Sequence, residues 1–216
     1  MRTIAPGAGH HLLGLVFPAR CPGCGRPGEP LCPRCLRSLR PPRPAPPPPG
    51  VDRWVAAFAY EGVARELVAR AKYHDRHAAL GWLAARMVHA WVATGAIPPA
   101  LVTWAPTAPA RRRARGFDHA RVLARGVARG LGARAVPLLT RGDGPAQTDQ
   151  PVAHRRAGPV VAARRTVSGP VLLVDDVATT GATLRVCAAA LRAAGATEVA
   201  ALTAARTPPG RAHRPG

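Results

Sequence analysis

Two adjacent carboxylates, Asp175 and Asp176, follow the apolar residues 171–174 and precede a run of small and hydroxyl residues. Carboxylates accept hydrogen bonds from vicinal hydroxyl groups. Small residues let backbone N–H groups surround a phosphate, and threonine hydroxyls add further donors. A ligand that carries a diol beside a phosphate, such as a ribose 5-phosphate, would suit both halves of this stretch. The candidate phosphate-binding residues are Ala178, Thr179, Thr180, Gly181, Ala182 and Thr183.

The elements around this stretch favour a ligand site. Residues 171–174 predict a buried strand, and residues 182–194 have the apolar spacing of a helix. In an open parallel sheet, ligands bind at the carboxyl ends of the strands, where the two acids would lie. The chain has no G-x-x-x-x-G-K-[ST] segment, which argues against a P-loop. The alternative is an ordinary buried strand followed by a capped helix.

A second candidate site is the segment CPGCGRPGEPLCPRC near the N-terminus. Its spacing, C-x₂-C-x₇-C-x₂-C, is typical of a tetrahedral structural zinc site with glycine and proline in the turns. The fifth cysteine, Cys187, is expected to pack in the core. We therefore predict that structural Zn²⁺ is bound by Cys21, Cys24, Cys32 and Cys35.

The rest of the chain predicts an α/β fold, with a mostly parallel sheet flanked by helices behind a small zinc-ribbon-like module. We predict a cysteine module at 12–40, a proline-rich linker at 41–50, the α/β domain at 51–206 and a disordered tail at 207–216. Residues 141–168 read as irregular. GLGARA, at 130–135, follows a helix, which is the wrong context for a dinucleotide site. Predicted strands are 51–60, 100–104, 171–174 and 198–203, and predicted helices are 63–72, 78–92, 117–131 and 182–194.

Charge and hydropathy limit the function classes. Lysine and arginine number 31 against 11 acids, a formal net charge of +20, and Lys72 is the only lysine. Arginine suits phosphate and nucleic acid, but a coding bias that enriches arginine, alanine, proline and glycine explains the excess equally well. The longest N-terminal apolar run, LLGLVF, is far shorter than the roughly 20 residues of a membrane span. We expect a cytoplasmic protein without membrane insertion.

At residues 171–183 the sequence resembles the type I phosphoribosyltransferases, whose signature is an aliphatic run, two acids and a TTGxT-like loop. It resembles the ComF-type (competence protein F-like) branch in particular. That branch is similar in its N-terminal cysteine cluster and in an RGFNQ-like segment, which here reads RGFDHA. A further matching segment, Y-x-G-x-x-R-x-L…KY, is represented here by Tyr60, Gly62, Arg65, Leu67, Lys72 and Tyr73.

The resemblance implies binding of 5-phosphoribosyl-1-pyrophosphate (PRPP) with Mg²⁺, and transfer of the phosphoribosyl group to an unidentified acceptor with release of pyrophosphate. Asp175 and Asp176 would bind the ribose hydroxyls and act at the catalytic centre, and the loop 178–183 would bind the 5-phosphate. Purine-salvage relatives carry an acid at the position of Thr179, so a 6-oxopurine acceptor is not expected. The pyrophosphate would meet a basic loop and a lysine, comprising Arg111, Arg112, Arg113, Arg115 and Lys72.

The same resemblance leaves a second function open. The chain could be a non-catalytic accessory protein of DNA uptake in natural competence, binding PRPP or single-stranded DNA and working with a DNA-uptake helicase. The four arginines of the basic loop would then contact DNA, or form an ordinary solvated surface. Asp118 and His119 replace the Asn and Gln of the RGFNQ-like segment, and a carboxylate is unfavourable beside a pyrophosphate unless a metal or an arginine meets it.

Overall fold

The computed structural model describes residues 21, 23–27, 31–71, 76–108, 118–142 and 161–208, without the side chains of 76–78. A five-stranded parallel sheet with strand order β1-β7-β6-β2-β3 is the centre of this part of the chain. Its strands are β1 (Arg53–Ala59), β2 (Leu101–Trp104), β3 (Arg134–Ala135), β6 (Gly169–Ala178) and β7 (Ala196–Arg206).

The helices of the described part flank this sheet or precede it. They are α1 (Pro33–Ser38), α2 (Gly62–Ala71), α3 (Arg76–Val92), α4 (His119–Leu131) and α5 (Ala182–Ala193). The expected fold class is therefore confirmed: a parallel sheet flanked by helices, with a four-cysteine cluster in front of it. None of the described helices has the length and apolar character needed to cross a membrane.

The sheet is buried on both faces, as a parallel sheet must be. The first core lies under α2, α3 and α4, where Leu67, Met87 and Leu123 are fully buried against Leu172 and Leu202 of the sheet. The second core lies under α5 and contains a different set of strand residues, since alternate side chains of a strand point to opposite faces. Its fully buried members include Val171, Leu173, Val199, Leu184 and Leu191.

Part of the stretch 141–168, predicted to be irregular, is not irregular. Strand β4 (Leu139–Arg141) pairs antiparallel with β5 (Val161–Ala163), and Leu139 packs into the second core. Each strand has only three residues, so neither shows an alternating pattern long enough to predict a strand. This small sheet places Arg141 on the α5 side of the molecule.

The proline-rich segment 41–50 packs against the α/β body over part of its length. Pro48 is buried, and the Cγ atom of Pro48 lies 2.6 Å from the position that a Cβ on Gly181 would occupy. Gly50 faces the Cβ of Ala188 in α5 at 3.5 Å by the same measure. At the segment's start, Ala59 N donates to Arg40 O. The segment thus runs beside α5 and is more than a spacer.

Two glycines of α4 allow it to approach α3 closely. A Cβ on Gly126 would lie 2.6 Å from Ala84 Cβ, and one on Gly130 would lie 2.7 Å from Val88 Cγ2. These distances are shorter than van der Waals contact, so the two helices could not keep this spacing with alanine at either position. Gly130, the first residue of GLGARA, therefore has a packing role here.

We predict opposite effects for two Gly→Ala changes in these helices. Gly126→Ala should destabilise the protein, because overpacking costs about 1–3 kcal/mol and exceeds the helix-propensity gain. Gly81→Ala in α3 should stabilise it by roughly 0.4–1 kcal/mol, since no atom lies within 4 Å of a Cβ there. Urea unfolding measures both, and a stabilising Gly126→Ala would contradict the packing argument.

Candidate functional site

The two acids lie within β6, which continues four residues beyond its predicted end at residue 174 and finishes at Ala178. Both side chains are half-buried. Asp176 N donates to Asp175 Oδ1 at 2.8 Å, and Val177 N donates to Asp176 Oδ1 at 2.7 Å. One oxygen of each carboxylate is thus oriented by the next backbone amide. Both carboxylates are held at the carboxyl end of the central strand of the sheet.

Asp175 belongs to the α5 side of the sheet. Burial is the main cause that raises the pKa of the Cys187 thiol to about 12, and the negative charge of Asp175 raises it further, while Arg141 opposes the shift. Cys187 lies in α5 and is fully buried, which confirms its expected core position. Its thiol stays neutral at neutral pH. Arg141, which the sequence reading placed in an irregular stretch, therefore carries its charge near Asp175 and Cys187.

The loop between β6 and α5 is short and open to solvent. Thr179 and Thr180 are exposed, as are Ala182 and Thr183 in the first turn of α5. No side chain caps the helix at Gly181, and the first turn carries no acid. Thr180 Oγ1 accepts from Ala182 N at 3.3 Å. A helix N-terminus with exposed first-turn residues and two exposed hydroxyls is suited to an oxyanion.

Gly181 adopts φ 74°, in the left-handed region. It is also buried, because Pro48 covers the side on which a Cβ would stand. Glycine is therefore required at this position for two reasons: the left-handed backbone conformation and the close contact with Pro48. The proline-rich segment was not expected to take part in this loop, because a run of prolines is typical of a free spacer.

We predict that Gly181→Ala costs more stability than Gly132→Ala. Gly132 caps α4 at φ 68°, nearly the same conformation, but no atom lies within 4 Å of a Cβ there. Both changes incur about 1–2 kcal/mol of left-handed strain, and only Gly181→Ala adds the clash with Pro48. Adding Pro48→Ala to each should reduce the difference, because it removes the Cγ atom at 2.6 Å and leaves a Cβ at 3.2 Å. Urea unfolding of the four variants measures this, and equal costs for the two single changes would refute it.

The position of Asp118 at the start of α4 explains why aspartate can replace the asparagine of the RGFNQ-like segment. It is the N-cap of α4, where its Oδ1 accepts from Arg121 N at 3.4 Å and from Thr107 Oγ1 at 3.0 Å. An N-cap accepts asparagine and aspartate equally well. His119, the first residue of α4, is buried. The Asp118 carboxylate therefore has a structural role at this position.

The predicted pyrophosphate-binding residues cannot be placed. Arg111, Arg112, Arg113, Arg115 and Lys72 lie outside the described residues. Of the predicted tail at 207–216, the structure describes only residues 207 and 208. There Thr207 N donates to Ala178 O at 3.0 Å. Two residues that the sequence did not indicate are Arg206, the last residue of β7, and Trp54 of β1, whose ring the Arg206 guanidinium contacts. A basic residue directly after the apolar end of a buried strand was the available signal for Arg206.

The four N-terminal cysteines come together as predicted. Their sulfur atoms all lie within 4.8 Å of one another, and Cys24 Sγ is 3.7 Å from Cys32 Sγ. Four thiolates around zinc at about 2.3 Å place the sulfurs roughly 3.8 Å apart, so the cluster fits a tetrahedral ion. Burial raises the pKa of the Cys21 thiol, but the backbone N–H groups of Cys32, Cys24 and Gly23 outweigh this and lower that pKa to about 6.

The cysteine cluster is packed onto the α/β body. Cys21 and Cys35 belong to the first core with Leu67 of α2. A Cβ on Gly23 would lie 2.8 Å from Val63 Cγ1 and 2.9 Å from Cys35 Sγ. Loss of the metal should loosen the cysteine module at 12–40 itself, because metal binding contributes to its folding. The shared core indicates that loss of metal would also loosen the contact with α2.

We predict about one zinc per chain, bound by the four clustered thiolates, because closed tetrathiolate sites add their binding energy to folding. Cys35→Ala should abolish stoichiometric zinc and lower the unfolding temperature. Cys187→Ala, a cysteine outside the cluster, should retain the metal. Elemental analysis of freshly purified protein measures the content, and protein without metal would reject the site.

No protein-family model matches the chain, and no curated protein matches it. One solved structure that it resembles is an allosteric regulatory enzyme of purine biosynthesis, with 23% identity over 65% of this chain and a TM-score of 0.46. Another is the glutamine phosphoribosylpyrophosphate (PRPP) amidotransferase from B. subtilis, complexed with ADP and GMP, with 25% identity over 62% and a TM-score of 0.44. The chain spans 30% of the length of each.

Proposed function

We propose that this protein binds PRPP together with Mg²⁺ and acts as a phosphoribosyltransferase. The observation that carries the proposal is the arrangement at the end of β6. Two oriented carboxylates are followed, within a few residues, by an open hydroxyl-bearing loop and a helix N-terminus whose first turn carries no acid. A ligand with a diol beside a phosphate is complementary to this arrangement.

The two halves of the site would bind different parts of the ligand. The carboxylates of Asp175 and Asp176 would accept hydrogen bonds from the ribose hydroxyls, which are strong because the acceptors are charged. Thr179 and Thr180 would donate to the 5-phosphate together with the first-turn amides of α5. No acid lies in that turn, so nothing there repels the phosphate.

In the proposed reaction the bond between ribose C1 and the pyrophosphate oxygen breaks, and its electron pair leaves with the pyrophosphate. A lone pair of the acceptor forms the new bond to C1, and the acceptor releases a proton if it carries one. Mg²⁺ would neutralise charge on the departing pyrophosphate, and the carboxylate oxygens of Asp175 and Asp176 are the hard ligands that it prefers. The chain's own contribution is to hold the ribose hydroxyls and the 5-phosphate in position.

Other parts of this proposal rest on the sequence resemblance. Loop arginines 111–115 and Lys72 are proposed to bind the pyrophosphate. Thr179 stands where purine-salvage relatives carry an acid, so we propose an acceptor other than a 6-oxopurine. A cytoplasmic location is proposed because metal-binding thiols need a reducing compartment. The role in DNA uptake, with single-stranded DNA or a helicase as partner, stays a prediction, since no described residue favours it.

We predict that Asp175→Asn combined with Asp176→Asn weakens PRPP binding by 100-fold or more. Hydrogen bonds to charged groups contribute about 1.5–3 kcal/mol each, and each 1.4 kcal/mol is about tenfold in affinity. Isothermal calorimetry with PRPP and Mg²⁺ measures the change.

The matched control is Glu198→Gln, which removes one negative charge from an exposed residue near the start of β7. It should bind PRPP with wild-type affinity. Equal affinity of the double variant and the wild type would reject the assignment of the two acids, and wild-type protein that does not bind PRPP would reject the proposed function.

A further inference from the structure

Arg206 is the last residue of β7, and it is 6% exposed. Its Cα is paired with that of Ala178, the last residue of β6. Ala178 directly precedes the exposed Thr179 and Thr180. An arginine is therefore buried at the carboxyl edge of the sheet, on the strand next to the proposed phosphate-binding loop.

The guanidinium of Arg206 lies against an aromatic ring. Its central carbon lies 4.6 Å from the centroid of the Trp54 ring. Within the described part of the chain, no ion pair joins Arg206 to a carboxylate, whereas Arg192 pairs with Asp52. Burial lowers the pKa of Arg206, as expected when a charged group is removed from water. A buried charge without a counter-ion is costly, so an anion at this position would be strongly favoured.

The next residue adds a buried hydroxyl group. Thr207 Oγ1 is buried and has no hydrogen-bond partner among the described residues, while its backbone N donates to Ala178 O at 3.0 Å. The backbones of Arg206 and Thr207 thus lie beside the same residue, Ala178.

The contacts of Trp54 show on which face of the sheet the Arg206 guanidinium lies relative to Asp175. It packs against the second core, on the α5 side of the sheet, and its Nε1 donates to Thr203 Oγ1 at 3.3 Å. Thr203 is the register partner of Asp175. The Arg206 guanidinium lies against Trp54, so it is on the same face of the sheet as Asp175 and α5. Trp54 belongs to β1, which is two strands, or about 10 Å, from β6.

We propose that Arg206 and Thr207 form an oxyanion subsite that binds a phosphate or carboxylate group of a ligand held at the end of β6. The contact with the Trp54 ring restricts the position of the guanidinium, and its forked N–H donors match the geometry of a carboxylate or phosphate. The inference deepens the proposed function and rests on it for the identity of the ligand. The oxyanion is either the 5-phosphate itself or an acidic group of the acceptor.

The test uses full-length wild type, Arg206→Met and Arg206→Lys, with ribose 5-phosphate and inorganic phosphate as probes in calorimetry. Methionine keeps an unbranched side chain over Trp54 without the charge. We expect Arg206→Met to fold with an unchanged or raised unfolding temperature in the absence of ligand, and to lose about 10- to 100-fold in oxyanion affinity. Arg206→Lys should recover part of the loss. Thr207→Val should lose a smaller factor, about 2- to 10-fold.

Adding ribose 5-phosphate first and inorganic phosphate second distinguishes a subsite for the 5-phosphate from a subsite for an acidic group of the acceptor. If the subsite holds the 5-phosphate, Arg206→Met weakens ribose 5-phosphate binding. If it holds an acceptor group, ribose 5-phosphate binds normally, and the Arg206-dependent event is the binding of inorganic phosphate to protein already saturated with ribose 5-phosphate. Arg129→Gln, which removes an exposed arginine of α4, should change neither titration.

The inference is overturned if Arg206→Met equals the wild type in both titrations, or if the wild type binds neither probe. PRPP binding that depends on Asp175 and Asp176 but not on Arg206 would reject the subsite and keep the proposed function. Phosphate binding that depends on Arg206 in a protein that does not bind PRPP would keep the subsite and reject that function.

Discussion

The pairing of β6 on both sides is the constraint on which the rest of the structure depends. Its residues 171–174 are paired in parallel with β2 and with β7 and are fully buried on both faces of the sheet. The polar residues that follow such a buried strand can lie only at the edge of the sheet where its parallel strands end. The carboxylates, the hydroxyl loop and the start of α5 all come directly after it in the chain, so they must gather at that edge.

Small side chains decide how closely the surrounding elements approach this strand. Gly126 and Gly130 bring α4 against α3, Gly181 brings the proline-rich segment against the loop, and Gly50 brings it against α5. The same alanine and glycine content that suggests a coding bias therefore has a physical use. Few large side chains are available, and the core is closed by short distances between backbones.

Much of the architecture could be predicted because its signals are local. The apolar run at 171–174, the helix after it and the cysteine spacing each lie within a dozen residues. The end of β6 was placed too early because aspartates and threonines are typical of loops, yet β7 extends to Arg206 and pairs with Ala178. The contact of Pro48 with Gly181 joins residues more than a hundred positions apart, and no local pattern indicates such a contact.

Arginine shows the difference between composition and position most clearly. The formal charge of +20 does not distinguish a ligand site from a coding bias, because an exposed arginine costs little wherever it stands. Arg121, Arg125 and Arg129 occupy the exposed face of α4, and their spacing follows the helix period and no ligand. Arg206 is different because it is buried beside Trp54 and ends the strand next to the acids. Its desolvation has a cost that the fold bears in the ligand-free state, and an oxyanion at the edge of β6 would offset that cost.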